Sequence, residues 1–156
     1  MERRYGVSGR EALLSMDGLA FMKAVLAGDL PAPPMARTMN IGVSQVARGR
    51  VAFRGAPTPD HLNPMGTTHG GWFGAVLDSA LGCAVMTVVP QGSVYTTLEY
   101  KVNLVRGIPP GTEVEAVATV DHAGRSTAVA SATLTGCADG RVYATASTTC
   151  LIMAAA

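Results

Sequence analysis

The sequence predicts an α+β fold: an antiparallel β-sheet wrapped around one long buried helix, with an extra helix at the N-terminus. Three observations carry this. Residues 69–88 are apolar nearly all round, as a helix enclosed on most sides must be. From residue 97 the texture changes to strict alternation, the period-two mark of a half-buried strand, and three more strand-like segments follow. The turns between those segments are short, which favours antiparallel neighbours.

The elements can be justified in chain order. Residues 11–27 read as an amphipathic helix, with Leu13, Met16, Ala20 and Ala24 on one stripe. Gly28 is its natural stop, and Pro31, Pro33 and Pro34 forbid continuation. Residues 38–46 and 49–55 read as strands around a turn at Arg48-Gly49, and Pro57 and Pro59 open a loop that runs to Thr68. In the buried helix, Gly70, Gly71, Gly74, Ala75, Ser79, Ala80, Gly82 and Ala84 are small enough for other backbone to approach closely. After Pro90-Gln91-Gly92, Leu98, Tyr100, Val102 and Leu104 alternate with Thr97, Glu99, Lys101 and Asn103. Strands are expected at 112–121, 126–136 and 141–152, with turns at Pro109-Pro110-Gly111, Ala123-Gly124-Arg125 and Asp139-Gly140. Asp-Gly is a strong hairpin signal. Residues 1–36 form an N-terminal helix and linker, and residues 37–156 form the main domain.

Composition narrows the function. The chain has 156 residues, 48% hydrophobic and 15% charged, which fits one domain and is too apolar for a disordered chain. Its net charge of +1 and the lack of a basic run give nucleic acid no foothold. Cys83, Cys137 and Cys150 are odd in number and contain no CxxC pair, so neither a zinc site nor a disulfide framework is indicated. Asp60 and the histidines have no metal-ligand spacing, and no metal is expected. A reducing compartment, the cytoplasm, is the simpler reading. Asp17 and Lys23 interrupt the apolar run a signal peptide would need. Residues 72–89 could mimic a membrane span, but Asp78 near the centre would cost about 2.5–3.5 kcal/mol there.

The stretch with chemical content runs from Asn63-Pro64-Met65-Gly66-Thr67-Thr68-His69-Gly70-Gly71 to Asp78. A loop delivers His69-Gly70-Gly71 to the start of the buried helix, where unpaired N–H groups carry a partial positive charge. Glycine leaves room for a carbonyl oxygen to sit against them, which is how an oxyanion hole is built. Asp78, in the same apolar helix, must be paired, protonated or solvated in a cavity. A carboxylate beside an oxyanion hole suits hydrolysis of an activated acyl group, by direct attack or through a water. Gly70 and Asp78 lie eight residues apart, about 12 Å of helical rise. One helix therefore cannot readily serve one carbonyl with both. Two copies packed antiparallel about a two-fold axis can, so the chemistry predicts a homodimer with two interfacial sites.

The pattern Asn63-x-x-Gly66-x-x-His69-Gly70-Gly71, with Asp78 seven residues after Gly71, resembles the hotdog-fold thioesterases of the PaaI-like, phenylacetate-degradation type. The similarity runs from about residue 38 to 153 and includes residues 95–106 and the Gly124-Arg125-Ser126-Thr127 turn. It implies an acyl-CoA thioesterase acting on an aromatic or medium-chain acyl group, with no cofactor beyond the CoA of the substrate. Asp78 would be the base or nucleophile, and the Gly70 amide would polarise the carbonyl. Asn63 would help hold the carbonyl or the attacking water, and His69 would orient the loop. Thr97 would contact the water or leaving group, with Thr96 as the alternative one residue away. Arg106 and Gly124, Arg125, Ser126 and Thr127 would hold the CoA phosphates. The family also implies pairing of dimers into tetramers. The N-terminal helix lies outside the common core and has no assigned role.

Plainer readings stand beside these. Asp78 could bridge buried structure, Asn63-Pro64 could be an ordinary turn, and Arg106 and Arg125 could be solvated surface charge. His61 and His122 read as structural or exposed, Trp72 and Phe73 as core or interface, and Cys83 and Cys150 as small buried apolar groups. Two other functions share the fold: an acyl-CoA hydratase or dehydratase, and a non-catalytic acyl-CoA-binding protein.

Overall fold

A computed structural model describes residues 4–155. Three short helices, α1 (Arg10–Leu14), α2 (Gly18–Ala27) and α3 (Pro34–Thr38), precede strands β1 (Ile41–Ala47) and β2 (Arg50–Gly55). A single 3-10 turn (Pro59–His61) leads to the long helix α4 (Gly70–Met86). Strands β3 (Ser93–Leu104), β4 (Val114–Ala123), β5 (Thr127–Gly136) and β6 (Val142–Ala154) follow. The strands form one sheet in the order β1-β2-β4-β5-β6-β3, antiparallel throughout. The sheet curls around α4, as the apolar girth of that helix requires.

The core lies between them. Val76, Leu77, Ala80, Leu81, Ala84 and Val85 of α4 are fully buried against Val51, Val114, Ala116, Ala118, Ala128, Ala130 and Leu134 of the sheet. The run of alanines on the sheet lets the helix lie close. Each leucine so buried is worth about 1.5–3 kcal/mol. The end of α4 is pinned where Thr87 Oγ1 donates to Ala84 O at 2.6 Å and accepts from the Gly49 N–H at 2.7 Å.

Two expectations are corrected. The helix over 11–27 is two helices, because Asp17 acts as an N-cap, accepting from the Ala20 N–H at 2.8 Å, and so starts a new helix. The next residue has to be glycine: a Cβ on Gly18 would lie 1.7 Å from Met86 O, so α2 docks backbone to backbone on the end of α4. Gly28 does stop α2, in the left-handed region at φ 87°. Pro34 then opens α3, since proline suits the first helical position. Met22, Ala32 and Ala36 of this N-terminal segment share the core cluster with α4.

Strand adjacency is the second correction. β3 and β4 are consecutive in sequence but not neighbours; β3 pairs with β6 at one edge, and β4 lies between β2 and β5. The connection 105–113 contains Pro109-Pro110 and is no tight hairpin. Ile108, 2% exposed, anchors it in the core while it crosses. The turns at Gly49 and Gly140 fall as expected, both glycines at positive φ.

Candidate active site

The loop before α4 is held by its own side chains. Asn63 Oδ1 accepts from the N–H groups of Met65 (2.9 Å) and Thr67 (3.2 Å), and Asn63 Nδ2 donates to Thr67 Oγ1 at 2.8 Å. Its side-chain oxygen and one of its two N–H donors are thus engaged inside its own turn. The His69 N–H donates to His61 O at 2.8 Å, and the buried Thr68 hydroxyl donates to Ile108 O. These bonds set the entry angle of α4.

His69 is the N-cap of α4, its Nδ1 accepting from the Gly71 N–H at 2.8 Å. The two glycines therefore divide the work. The Gly71 amide is capped from within, and a Cβ there would press on the His69 ring at 2.9 Å. The Gly70 N–H has no partner among the described residues, and Gly70 is exposed. An outward-facing N–H at a helix start is a ready site for a carbonyl oxygen.

One stripe of α4 faces the edge strand β3. Positions 70, 74, 78 and 82 are spaced by four and so share a face. A Cβ on Gly70 would meet Leu104, one on Gly74 would meet the Tyr100 hydroxyl, and one on Gly82 would lie 2.5 Å from the Tyr95 hydroxyl. Between these glycines stands Asp78, half-buried, whose Oδ1 accepts from Thr97 Oγ1 at 3.2 Å. Asp78 is thus partnered without being sealed in. Three glycines bring the strand down onto the helix, and the one larger residue of the stripe is the carboxylate.

A β-bulge sets this register. Thr97 pairs with Cys150 and Glu99 with Thr149, which leaves Leu98 without a partner on β6. The extra residue reverses the alternation. Tyr95 and Thr97 point at α4 before it, and Tyr100, Val102 and Leu104 after it. Thr97, not Thr96, is therefore the residue that meets Asp78. The alternation read from sequence holds beyond the bulge, but in the single chain Leu98 (57%), Tyr100 (46%) and Leu104 (55%) remain exposed.

The surroundings quiet the other ionisable groups. Burial, and after it the Asp78 charge, pushes the Cys83 thiol up to about 12. Burial, then Cys83, Cys150 and Asp78, holds Tyr95 well above its ordinary value. Both stay protonated through neutral pH, so neither offers a charged nucleophile. No group of His, Cys, Asp or Glu among the described residues could hold a metal ion. No described helix is long and apolar enough to cross a membrane.

The residues expected to hold CoA do not converge within one chain. Arg106 follows the end of β3 and donates to Val142 O at 3.2 Å, at the start of β6. Gly124 to Thr127 turn beside Leu151, at the far end of the same strand. The strand 142–151 spans about 30 Å. His61 is structural, bonded to Thr58 and to Thr38 O, and His122 is exposed.

Sequence reasoning missed Tyr95, Tyr100 and Leu104 as the strand side of the stripe. The four-residue spacing of Gly70, Gly74, Asp78 and Gly82 was the signal that could have found it. It also missed Ser79 and Cys83, one position further round the helix, which floor an apolar cavity.

A six-stranded antiparallel sheet closed around one helix in this order is the hotdog fold, and the molecule is a thioester hydrolase built on it. The chain belongs to the thioesterase superfamily, whose family model matches residues 65–148, more than half of its length. That stretch holds Gly70, Asp78, Thr97, Arg106 and the Gly124–Thr127 turn, and leaves Asn63 just outside. No curated protein sequence matches the chain. Among solved structures, a phenylacetic acid degradation-related protein from Ralstonia eutropha is similar at 27% identity and TM-score 0.77, covering 84% of this chain and 98% of that one. A thioesterase family protein from Silicibacter pomeroyi is similar at 28% and 0.72, covering 78% and 90%. A point mutant of the phenylacetic acid degradation protein PaaI from Thermus thermophilus is similar at 28% and 0.69, covering 76% and 97%.

Proposed function

We propose that the protein hydrolyses acyl-CoA thioesters, of the medium-chain or aromatic kind, in two equivalent sites of a homodimer. Each site would combine Asp78 and Thr97 of one copy with the Gly70 amide of the other. The observation that carries this is the stripe itself: an accessible carboxylate and an unpartnered amide on one face of α4, about 12 Å apart and so unable to share a carbonyl within one chain.

The edge strand supports the pairing. If Asp78 meets Gly70 across a two-fold axis, the axis passes level with their midpoint, residue 74, which packs against Tyr100. Two β3 strands paired about Tyr100 would place Glu99 of each copy opposite Lys101 of the other. Both are exposed, and neither has an ion-pair partner among the described residues. Leu98, Tyr100 and Leu104 would be covered at the same time. The arrangement would carry Arg106 of one copy towards the end of the sheet where the other copy's Gly124–Thr127 turn lies, and so unite the CoA-binding residues that one chain separates. Arginine suits phosphate through paired hydrogen bonds. The free state of Cys83, Cys137 and Cys150 accords with a reducing, cytoplasmic setting.

In the reaction, the thioester oxygen rests on the Gly70 N–H, and the Thr97 hydroxyl holds one Asp78 oxygen while the other faces the acyl carbon. Asp78 either takes a proton from the attacking water or attacks itself, forming an anhydride that water then opens. In the first route Asp78 passes that proton to the sulfur as the C–S bond breaks; in the second the CoA leaves as thiolate, and the water that opens the anhydride supplies the proton and releases the acid. Asn63 and His69 act as positioning residues, because their polar atoms hold the loop and the helix start. The His69 capping bond also speaks against hydratase chemistry, which needs a histidine aimed at a substrate carbon.

Free-thiol release over a panel of saturated, aromatic and enoyl-CoAs tests the reading. Asp78→Asn is expected to lower turnover by about 10²–10⁴-fold while CoA binding persists. Equal turnover in variant and parent would refute it.

A further inference from the structure

The N-terminal segment, which lies outside the common core, encloses a cavity of about 270 Å³ together with β1, β2 and α4. Leu13 of α1 and Phe21 and Val25 of α2 form its roof, and Val43 and Phe53 form its sheet wall. Its floor is Ser79 and Cys83, the α4 stripe one position round from Asp78. No charged side chain lines it. The Ser79 hydroxyl is turned back onto Ala75 O at 2.7 Å, and Cys83 carries no charge, so the floor is effectively apolar.

We infer that this cavity is the acyl pocket, and that the N-terminal helices set the length of acyl group the enzyme accepts. The inference rests on the thioesterase reading, since it is the carbonyl beside Asp78 that puts an acyl chain within one helical position of Ser79, which lines the cavity. Size points to the occupant. An apolar cavity of about 150 Å³ takes up benzene, so this one suits a hydrocarbon tail of about eight to ten carbons, or an arylalkyl group of that bulk. The side chains that keep it open are small: the buried Ala32 and Ala36 line it where larger ones would fill it. Without an occupant, the half-buried Leu13, Phe21 and Val25 would pack more cheaply by collapse.

The test separates binding from catalysis. A series of non-hydrolysable S-alkyl-CoA thioethers from two to twelve carbons is titrated into the full chain, and the matching acyl-CoAs are assayed for thiol release. Affinity should rise by roughly threefold per methylene up to about eight to ten carbons. Val25→Trp, which fills the roof, should flatten that rise and weaken the eight-carbon thioether at least about tenfold, leaving the two-carbon thioether within about twofold. Phe21→Ala, which widens the cavity, should move the optimum to longer chains. Affinity that does not depend on chain length in the parent, or a length profile unmoved by both variants, overturns the pocket assignment. Length-dependent binding with no hydrolysis of any acyl-CoA would instead sink the catalytic reading and leave the pocket standing.

Discussion

The two flanks of α4 solve different problems with the same helix. On one, Val76, Leu77, Ala80, Leu81 and Ala84 are fully buried against the sheet, and every apolar contact they need is supplied by their own chain. On the other, Gly70, Gly74 and Gly82 draw an edge strand onto the helix around Asp78, and that strand leaves Leu98, Tyr100 and Leu104 exposed. The first flank is finished by folding. The second keeps apolar side chains of the strand exposed in the single chain, beside the carboxylate. The stabilising flank and the proposed catalytic flank thus lie about half a turn apart on one helix.

That division can be broken or sharpened. After Asp78→Asn, the largest effect belongs to the buried flank: Leu81→Ala should lose about 2–5 kcal/mol in denaturant unfolding. The turnover of the protein that remains folded should stay near the parent value; a catalytic defect beyond the loss of folded protein would erase the distinction. A smaller loss, about 1–3 kcal/mol, is expected for Gly82→Ala, whose new methyl would press on the Tyr95 hydroxyl at 2.5 Å. Combining it with Tyr95→Phe should recover part of that loss in the same unfolding measurement, and no recovery would mean the strand and helix are not in contact there. The smallest effect concerns the proposed strand pairing. Glu99→Lys alone should weaken the dimer by about tenfold in sedimentation, since an exposed ion pair is worth about 0.2–1 kcal/mol and the two-fold axis doubles it. Glu99→Lys with Lys101→Glu should restore the dimer, and a single variant that dimerises like the parent would displace the axis from Tyr100.

Much of the fold was legible because its signals are local. An all-apolar run must be enclosed, an alternating run must have one wet face, and Gly28, Gly49 and Asp139-Gly140 mark chain reversals by their own backbone freedom. The break at Asp17 was missed because a helical stripe runs through it, and only the close approach of Gly18 to Met86 shows why a new helix begins. At the site, Asp78, Gly70 and His69 were legible from residue type and spacing. That Asn63 braces its own turn with its side-chain oxygen and one N–H was not, since the same Asn-Pro pair serves a loop or a ligand.

The sequence by itself determined the fold class, the buried helix and the glycine-flanked carboxylate, because hydrophobic period and helical spacing are properties of neighbouring residues. Only the tertiary structure decided that β3 leaves β4 and takes the sheet edge beside β6, and that the bulge at Leu98 turns Thr97 towards Asp78. It also set Arg106 apart from the Gly124–Thr127 turn and placed the N-terminal helices over a cavity. Strand order, register and cavities depend on contacts between residues far apart in the chain, and no local pattern fixes which distant partner completes a face.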